Sequence, residues 1–211
     1  PLDIVPVRSV TGSVFASSSL EPQEAYSPAF LFDSRPAFGW ADGEEDLTGE
    51  GEHLTFVLDE ARRIEKIKVW NGYHRSATHF DHNERVAEFS FGIFGEDPGV
   101  YRLPDVMEPQ VIELDYPLEG ERFWLDVLEV YPGEVYRDLV LSEMRFFDGE
   151  EWFVIDTGKS ETRKRVVLEW AESAVAGPII DRQLYSRRMG EYDGWEYHAQ
   201  TLVLRSGGSF V

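Results

Sequence analysis

The chain has 211 residues, 42% of them hydrophobic and 14% aromatic, which is enough bulky apolar surface to fill one sizeable core and too much for a disordered chain. Forty acidic residues against twenty basic ones give a formal net charge of −20, a field that repels both nucleic-acid phosphates and an anionic membrane surface. The absence of cysteine removes disulfide frameworks, thiolate zinc sites and a cysteine nucleophile, and no window approaches the ~18 consecutive apolar residues of a membrane-inserted helix. The start at Pro1-Leu2-Asp3, with no apolar signal segment, reads as a mature or trimmed chain and admits export.

Residues 1–24 are rich in Ser and Val and read as an N-terminal lead-in with one short strand at 9–15. Residues 25–157 then show short apolar stretches separated by Gly, Pro, Asp and Asn. The spacing predicts strands at 54–58, 64–70, 88–94, 110–115, 123–130, 139–147 and 152–155. In the second of these, Ile67 and Val69 alternate with Lys66 and Lys68, the period of a half-buried strand. Many short strands with turn signals between them predict an all-β sandwich of antiparallel sheets. The segment Asp42 to Glu52, with six acidic residues and no basic one, reads as a solvated loop. Residues 158–211 form a C-terminal extension. A helix is expected over 159–176, stopped by Gly177-Pro178, then a strand at 194–197 and a hairpin from Thr201 about Gly207-Gly208.

Three stretches place polar and aromatic residues at strand ends where packing alone does not need them. They are Asp33-Ser34-Arg35-Pro36-Ala37-Phe38-Gly39-Trp40, then Asn71-Gly72-Tyr73-His74-Arg75-Ser76 continuing to Asn83 and Arg85, then Val130-Tyr131-Pro132-Gly133-Glu134-Val135-Tyr136-Arg137-Asp138 followed by Ser142-Glu143. With Gly49, Gly51 and Glu52 between the first two, this order resembles the discoidin-like glycan-binding module associated with streptococcal NAD glycohydrolase. The resemblance covers roughly residues 25–156. It implies a discoidin-like jelly-roll β-sandwich that binds carbohydrate and performs no chemistry itself. The last strands also resemble the opening strands of small lipocalin-like barrels, with too few strands left for a barrel.

Many modules of that family hold a structural calcium at the first turn through the Asp and the late Glu. Here Asp33 and Glu143 remain, but Arg35 and Phe38 replace oxygen-bearing residues, and calcium requires six to eight hard oxygen ligands. An ion pair of Arg35 with Asp33 or Glu143 is expected instead, with no metal and no cofactor. Trp40 reads as a core plug, and Gly72 and Gly133 as turn residues. Arg85 and Asp138 form either an ion pair pinning two loops or a ligand contact, and the tyrosines are either rim or core. His74, His79 and His82, with Asp81 between the last two, are either a polar loop or transition-metal ligands; the first is the ordinary reading. No nucleophile-elbow, zinc-protease or phosphate-loop motif is present in the sequence.

These observations lead to the expectation of a non-catalytic module on an exported bacterial protein, binding a saccharide or glycoconjugate on loops at one end of the sandwich. The expected rim is Tyr73, His74, His79, Asn83, Arg85, Tyr131, Tyr136 and Asp138. The same scaffold serving as a structural or protein-interaction domain is the alternative. A sugar hydrolase, which needs two carboxylates about 5 to 9 Å apart, is third.

Overall fold

The structure is a computed structural model that describes residues 7–43 and 48–158, with two further strands at Arg182–Arg187 and Gln200–Leu204 whose backbones alone are described. The chain divides into two compact units, Pro1–Ser160 and Glu161–Val211.

In the first unit the elements run β1 (Arg8–Ala16), α1 (Gln23–Tyr26), a 3-10 turn (Pro28–Phe32), β2 (Trp40–Ala41), β3 (His53–Asn71), α2 (Ala77–His82), β4 (Arg85–Ile93), β5 (Gly99–Arg102), β6 (Gln110–Tyr131), β7 (Val140–Phe147) and β8 (Trp152–Asp156). Strands β3 and β6 are long enough to serve both layers. The first part of β3 pairs with β1 and with Arg122–Asp126 of β6, and β4 and β5 follow beyond β6. The last part of β3 pairs with the start of β6 and with β7, which carries β2 and β8. β8 also runs parallel to β1, linking the two layers at one side.

Alternation in these strands turns one face inward. Leu54, Phe56 and Leu58 of β3 are buried while Thr55 and Val57 are half-buried, as a period of two requires. The inward residues are large and aromatic. Phe91 stacks on Phe123 with centroids 6.1 Å apart, and Phe56 meets Phe146 edge-on at 5.4 Å. Phe146 on β7 also lies 6.0 Å from Phe91 on β4, although the strands that β4 pairs with are β5 and β6. That contact passes through the core and identifies a two-layer β-sandwich, as the strand pattern predicts.

Three features differ from the sequence reading. The stretches 54–58 and 64–70 are one bent strand, and so are 110–115 and 123–130. The intervening Asp59-Glu60-Ala61-Arg62-Arg63 breaks the apolar alternation, yet Arg62 and Arg63 still pair with Gly120 and Glu119 of β6. Backbone pairing in a solvent-facing arm needs no apolar side chains, so the interruption marks a bend and not an end. The short strand expected at 9–15 is present as β1, but it lies inside the sandwich and not in a lead-in, between β3 and β8 with Val10 and Val14 in the core. β5 and the short α2 were not anticipated.

In the second unit β9 (Arg182–Arg187) pairs antiparallel with β10 (Gln200–Leu204). β10 coincides with the first strand of the expected hairpin. The expected helix over 159–176, the strand at 194–197 and the Gly207-Gly208 turn lie outside the described residues.

Candidate functional site

The start of β7 gathers the three polar stretches. Leu141 pairs with Trp40 of β2 and with Asn71 at the end of β3, and Gly72 N donates to Val140 O at 3.1 Å. His74 N donates to Ser142 Oγ at 2.9 Å. The fully buried Asn71 side chain ties β3 to β4 by donating to Val86 O (2.8 Å) and accepting from Val86 N (2.9 Å). The second and third stretches are then stitched together by backbone: Glu134 N to Asp81 O (3.0 Å), Tyr136 N to His82 O (2.8 Å) and Glu84 N to Asp138 O (2.9 Å).

Such close approach explains two glycines. A Cβ on Gly133 would sit 2.4 Å from both His82 O and Tyr136 O. Gly72 has φ +81°, and a Cβ there would lie 2.6 Å from Arg85 Cγ and 2.8 Å from the Phe80 ring. Gly72→Ala therefore combines backbone strain with a clash, and is expected to cost about 1–3 kcal/mol of stability by urea denaturation. A loss below about 0.5 kcal/mol would contradict this packing.

Around this junction lies a rim of half-buried side chains. The Tyr73 ring meets His79 edge-on at 5.1 Å, and His82 and Tyr136 rings are 6.4 Å apart. His79 Nδ1 and Ser76 Oγ lie 2.7 Å apart, with Ser76 also capping α2 by accepting from His79 N. Burial lowers the pKa of His79, and the charges of Arg75 and His82 push in the same direction. Burial raises Asp138. Tyr26, on α1, joins this group. Its hydroxyl pKa is raised first by burial, and Tyr73, Arg75 and Asp138 all act on it electrostatically. Tyr26 was missed by the sequence reading. It stands alone between Ser- and Pro-rich segments, and no periodicity or motif points to it.

The eight expected rim residues separate into two groups. Tyr73, His79, Tyr136 and Asp138 are half-buried at the junction. Arg85 is 7% exposed, and its guanidinium is engaged by protein: Nε and Nη2 fork onto Asp105 at 2.8 and 2.7 Å, and Nη1 donates to the carbonyls of Phe80, Asn83 and Pro132. Its ion-pair partner is therefore Asp105 and not Asp138, because the Arg85 side chain turns toward the segment after β5. Asn83 is also buried and donates to His79 O at 2.7 Å. Tyr131 donates its hydroxyl to Leu103 O at 2.8 Å. His74 donates Nε2–H to Asn71 O at 2.9 Å and packs edge-on against Phe80, and burial lowers its pKa.

Beneath the rim the two ends of the acidic segment are anchored and not solvated, at Asp42 and Glu52, whereas Glu50 between them is exposed. Asp42 is 1% exposed and accepts from Leu139 N at 2.6 Å; burial, with Glu52, Asp138 and Glu84 nearby, pushes its carboxyl up to about 7. Glu84 accepts from Gly49 N at 3.0 Å and is likewise raised by burial. Glu52 accepts from Ser18 Oγ at 2.7 Å and also from Ser17 Oγ. Trp40 is fully buried with its indole N–H on Ser18 O at 2.9 Å, the core plug expected.

At the first turn, Arg35 N donates to Asp33 Oδ1 (2.8 Å) and to Glu143 Oε2 (3.1 Å), with Ser34 at φ 58°. The guanidinium facing Glu143 belongs to Arg145, at 3.7 Å, and it also stacks on Trp70. Arg35 thus serves through its backbone, and Arg145 supplies the cation that had been expected from Arg35. Two carboxylates converging on an N–H beside a guanidinium do not fit a calcium ion. Among the described residues no group of three or more His, Asp or Glu is placed to hold a metal.

Comparison with known proteins accords with this architecture. Residues 7–147, more than half of the chain, match the family described as NAD glycohydrolase translocation F5/8 type C domain. No curated protein matches. Among solved structures, the arabinofuranosyltransferase AftD from mycobacteria superposes with a TM-score of 0.52 at 19% identity, over 69% of this chain and 11% of that one. The CBM32-1 and CBM32-2 domains of Clostridium perfringens ZmpB give 0.50 at 10% identity, over 64% of this chain and 34% of that one. The family 32 carbohydrate-binding module of C. perfringens NanJ, solved with galactose, gives 0.49 at 12%, over 64% and 92%. At such identities the likeness is one of fold. The chain thus belongs to the NAD glycohydrolase translocation F5/8 type C domain family, built on the discoidin-like β-sandwich that its motif order resembles.

Proposed function

We propose that the sandwich is a non-catalytic saccharide- or glycoconjugate-binding module of an exported bacterial protein. The observation that carries this reading is the meeting of Tyr26, Tyr73, His79, Tyr136 and Asp138, from separate segments, as half-buried groups at one end. Tyrosine rings offer flat apolar area to the C–H faces of a sugar, and their hydroxyls, the imidazole and the carboxylate exchange hydrogen bonds with its hydroxyls. Arg85, Asn83, Tyr131 and His74 act as supports beneath this rim, since their polar atoms already bond to protein. Asp138 is the half-buried carboxylate of this group, while neighbouring Asp42 and Glu84 are buried and accept from backbone N–H groups, which suits holding hydroxyls better than paired-carboxylate hydrolysis. Export is supported by the family's description as a translocation domain.

Titration against a panel of bacterial and host saccharides tests the proposal. Tyr73→Ala and Tyr136→Ala are each expected to weaken binding about tenfold or more, the loss of one stacking ring. Failure of the wild-type chain to bind any saccharide would overturn it. The second reading, a protein-interaction domain, draws on Phe15, Phe94 and Val100, each more than half exposed.

A further inference from the structure

The outer face of the layer that holds β1, β3, β6 and β4 carries aromatic and polar side chains that the rim does not use. Val14, Phe56, Phe123 and Phe91 point into the core, so their neighbours along each strand point outward. The register sets Phe15, Thr55, Trp124 and Gly92 in one row across the four strands. Gly92 makes room for the indole: a Cβ there would lie 3.3 Å from Trp124 Cζ2, so the ring leans over the neighbouring strand and stays half-exposed. His53 lies near-parallel to it, at 25° with centroids 6.3 Å apart. Asp126 Oδ1 accepts from His53 Nδ1–H, and His53 Nε2 lies 2.8 Å from Thr55 Oγ1, so both edges of the imidazole are fixed. The His53 and Asp126 side chains remain 40% and 39% exposed. The group sits roughly 20 Å along β6 from Tyr131, the residue at its rim end.

We propose that this face is a second saccharide site, for a linear uncharged chain laid across the strands. It goes beyond the rim reading, sharing its ligand class and none of its residues. The indole and the Phe15 ring, which is 58% exposed, stand two strand spacings apart, about 10 Å, a separation that suits successive sugar units and exceeds a single ring. Rings already fixed by the sheet lose little freedom on binding, and Thr55, His53 and Asp126 beside them exchange hydrogen bonds with hydroxyls. The size of the face argues against a protein occupant. Four strands are about 14 Å wide and the stretch from Arg122 to Asp126 is about 14 Å long, a footprint of roughly 200 Å². One partner of a stable protein interface covers about 800 Å². A second copy would also bring its own charge of −20 to the contact, whereas an uncharged chain is indifferent to that field.

Calorimetric titration of the full chain with mono- to hexasaccharides of the cello-, chito- and galacto- series tests the proposal. The double variant Tyr73→Ala/Tyr136→Ala disables the rim, so the binding that it retains belongs to this face. That binding is expected to tighten about tenfold from mono- to tetrasaccharide, as the second ring engages. Adding Trp124→Ala is expected to abolish it, Trp124→Phe to keep part of it, and Phe15→Ala to remove the gain with chain length. Circular dichroism melting is expected to find the Phe15→Ala and Trp124→Phe variants folded, since both side chains lie on the outer face. No binding of any series by the rim-disabled chain, or binding indifferent to Trp124 and Phe15, would overturn the proposal while leaving the rim reading to its own test. Sedimentation showing a dimer that Phe15→Ala dissociates would assign the face to a second copy and overturn it equally. Retained binding in the rim-disabled chain together with no change from wild type would remove the rim reading and leave this one standing.

Discussion

Replacing Arg85 by alanine is expected to destabilise the domain by about 2–4 kcal/mol, below the full range for breaking a buried ion pair because Asp105, the partner left behind, is 36% exposed. The Arg85 side chain is 8% exposed and supports three separate segments at once. Its fork holds Asp105 after β5, and Nη1 gathers carbonyls from α2 (Phe80), the residue after it (Asn83) and the β6–β7 loop (Pro132). The guanidinium also lies 5.0 Å from the Phe80 ring centroid. Alanine removes all of these and leaves Asp105 and buried carbonyls without their donor. Arg85→Lys keeps the charge but cannot reproduce the fork, so most of the loss is expected to remain. Urea or guanidinium midpoints measure both variants; a change below about 1 kcal/mol in Arg85→Ala would show that the cluster is not a structural support.

Glu143 and Asp42 are expected to make stability fall as pH rises from about 5 to 8, opposite to the usual behaviour of paired carboxylates. Below about pH 6.5 the lowered pKa values of His74 and His79 act against this, so the fall is cleanest above it. Glu143 is fully buried and its carboxyl is pushed up to about 8 by burial and by Asp33, with Arg145 opposing. Asp42 is pushed up to about 7. In this window the folded chain keeps protons that the unfolded chain has released, so raising the pH favours unfolding, and the contribution is complete only below the unfolded pKa values near 4. Glu143→Gln mimics the protonated acid. It is expected to match the wild type near pH 5 and to exceed it by about 2 kcal/mol above pH 8. Parallel stability–pH curves for the two proteins would mean that Glu143 is ionised in the folded chain. Asp42→Asn is expected to flatten the lower part of the same slope, ending near pH 7.

How much of this was legible beforehand depends on whether the feature is local. Strands with Ile67 and Val69, or Phe89 and Phe91, announce themselves because an inward face must repeat every second residue. The joining of 54–58 to 64–70 was hidden, since the arm between them satisfies its backbone without burying apolar groups. The loops of the rim were visible as polar and aromatic interruptions at strand ends, and Tyr73, His79, Tyr136 and Asp138 lie where those loops meet. Arg85 and Asn83 looked the same in sequence, because a buried donor bonded to carbonyls and a rim donor awaiting a ligand are the same residue types.

The all-β class, most of the strand positions, the alternation that turns Phe89 and Phe91 inward, the Trp40 plug and the family were legible in the sequence alone, through short-range periodicity, turn residues and a motif order that survives in one dimension. The choice of Asp105 as the partner of Arg85, the raised carboxyls of Asp42 and Glu143, the substitution of Arg145 for Arg35 and the arrival of Tyr26 at the rim were decided only by tertiary structure. Each depends on which distant loop comes within a few ångströms of a charge and how much water that approach excludes, and neither quantity is written in neighbouring residues.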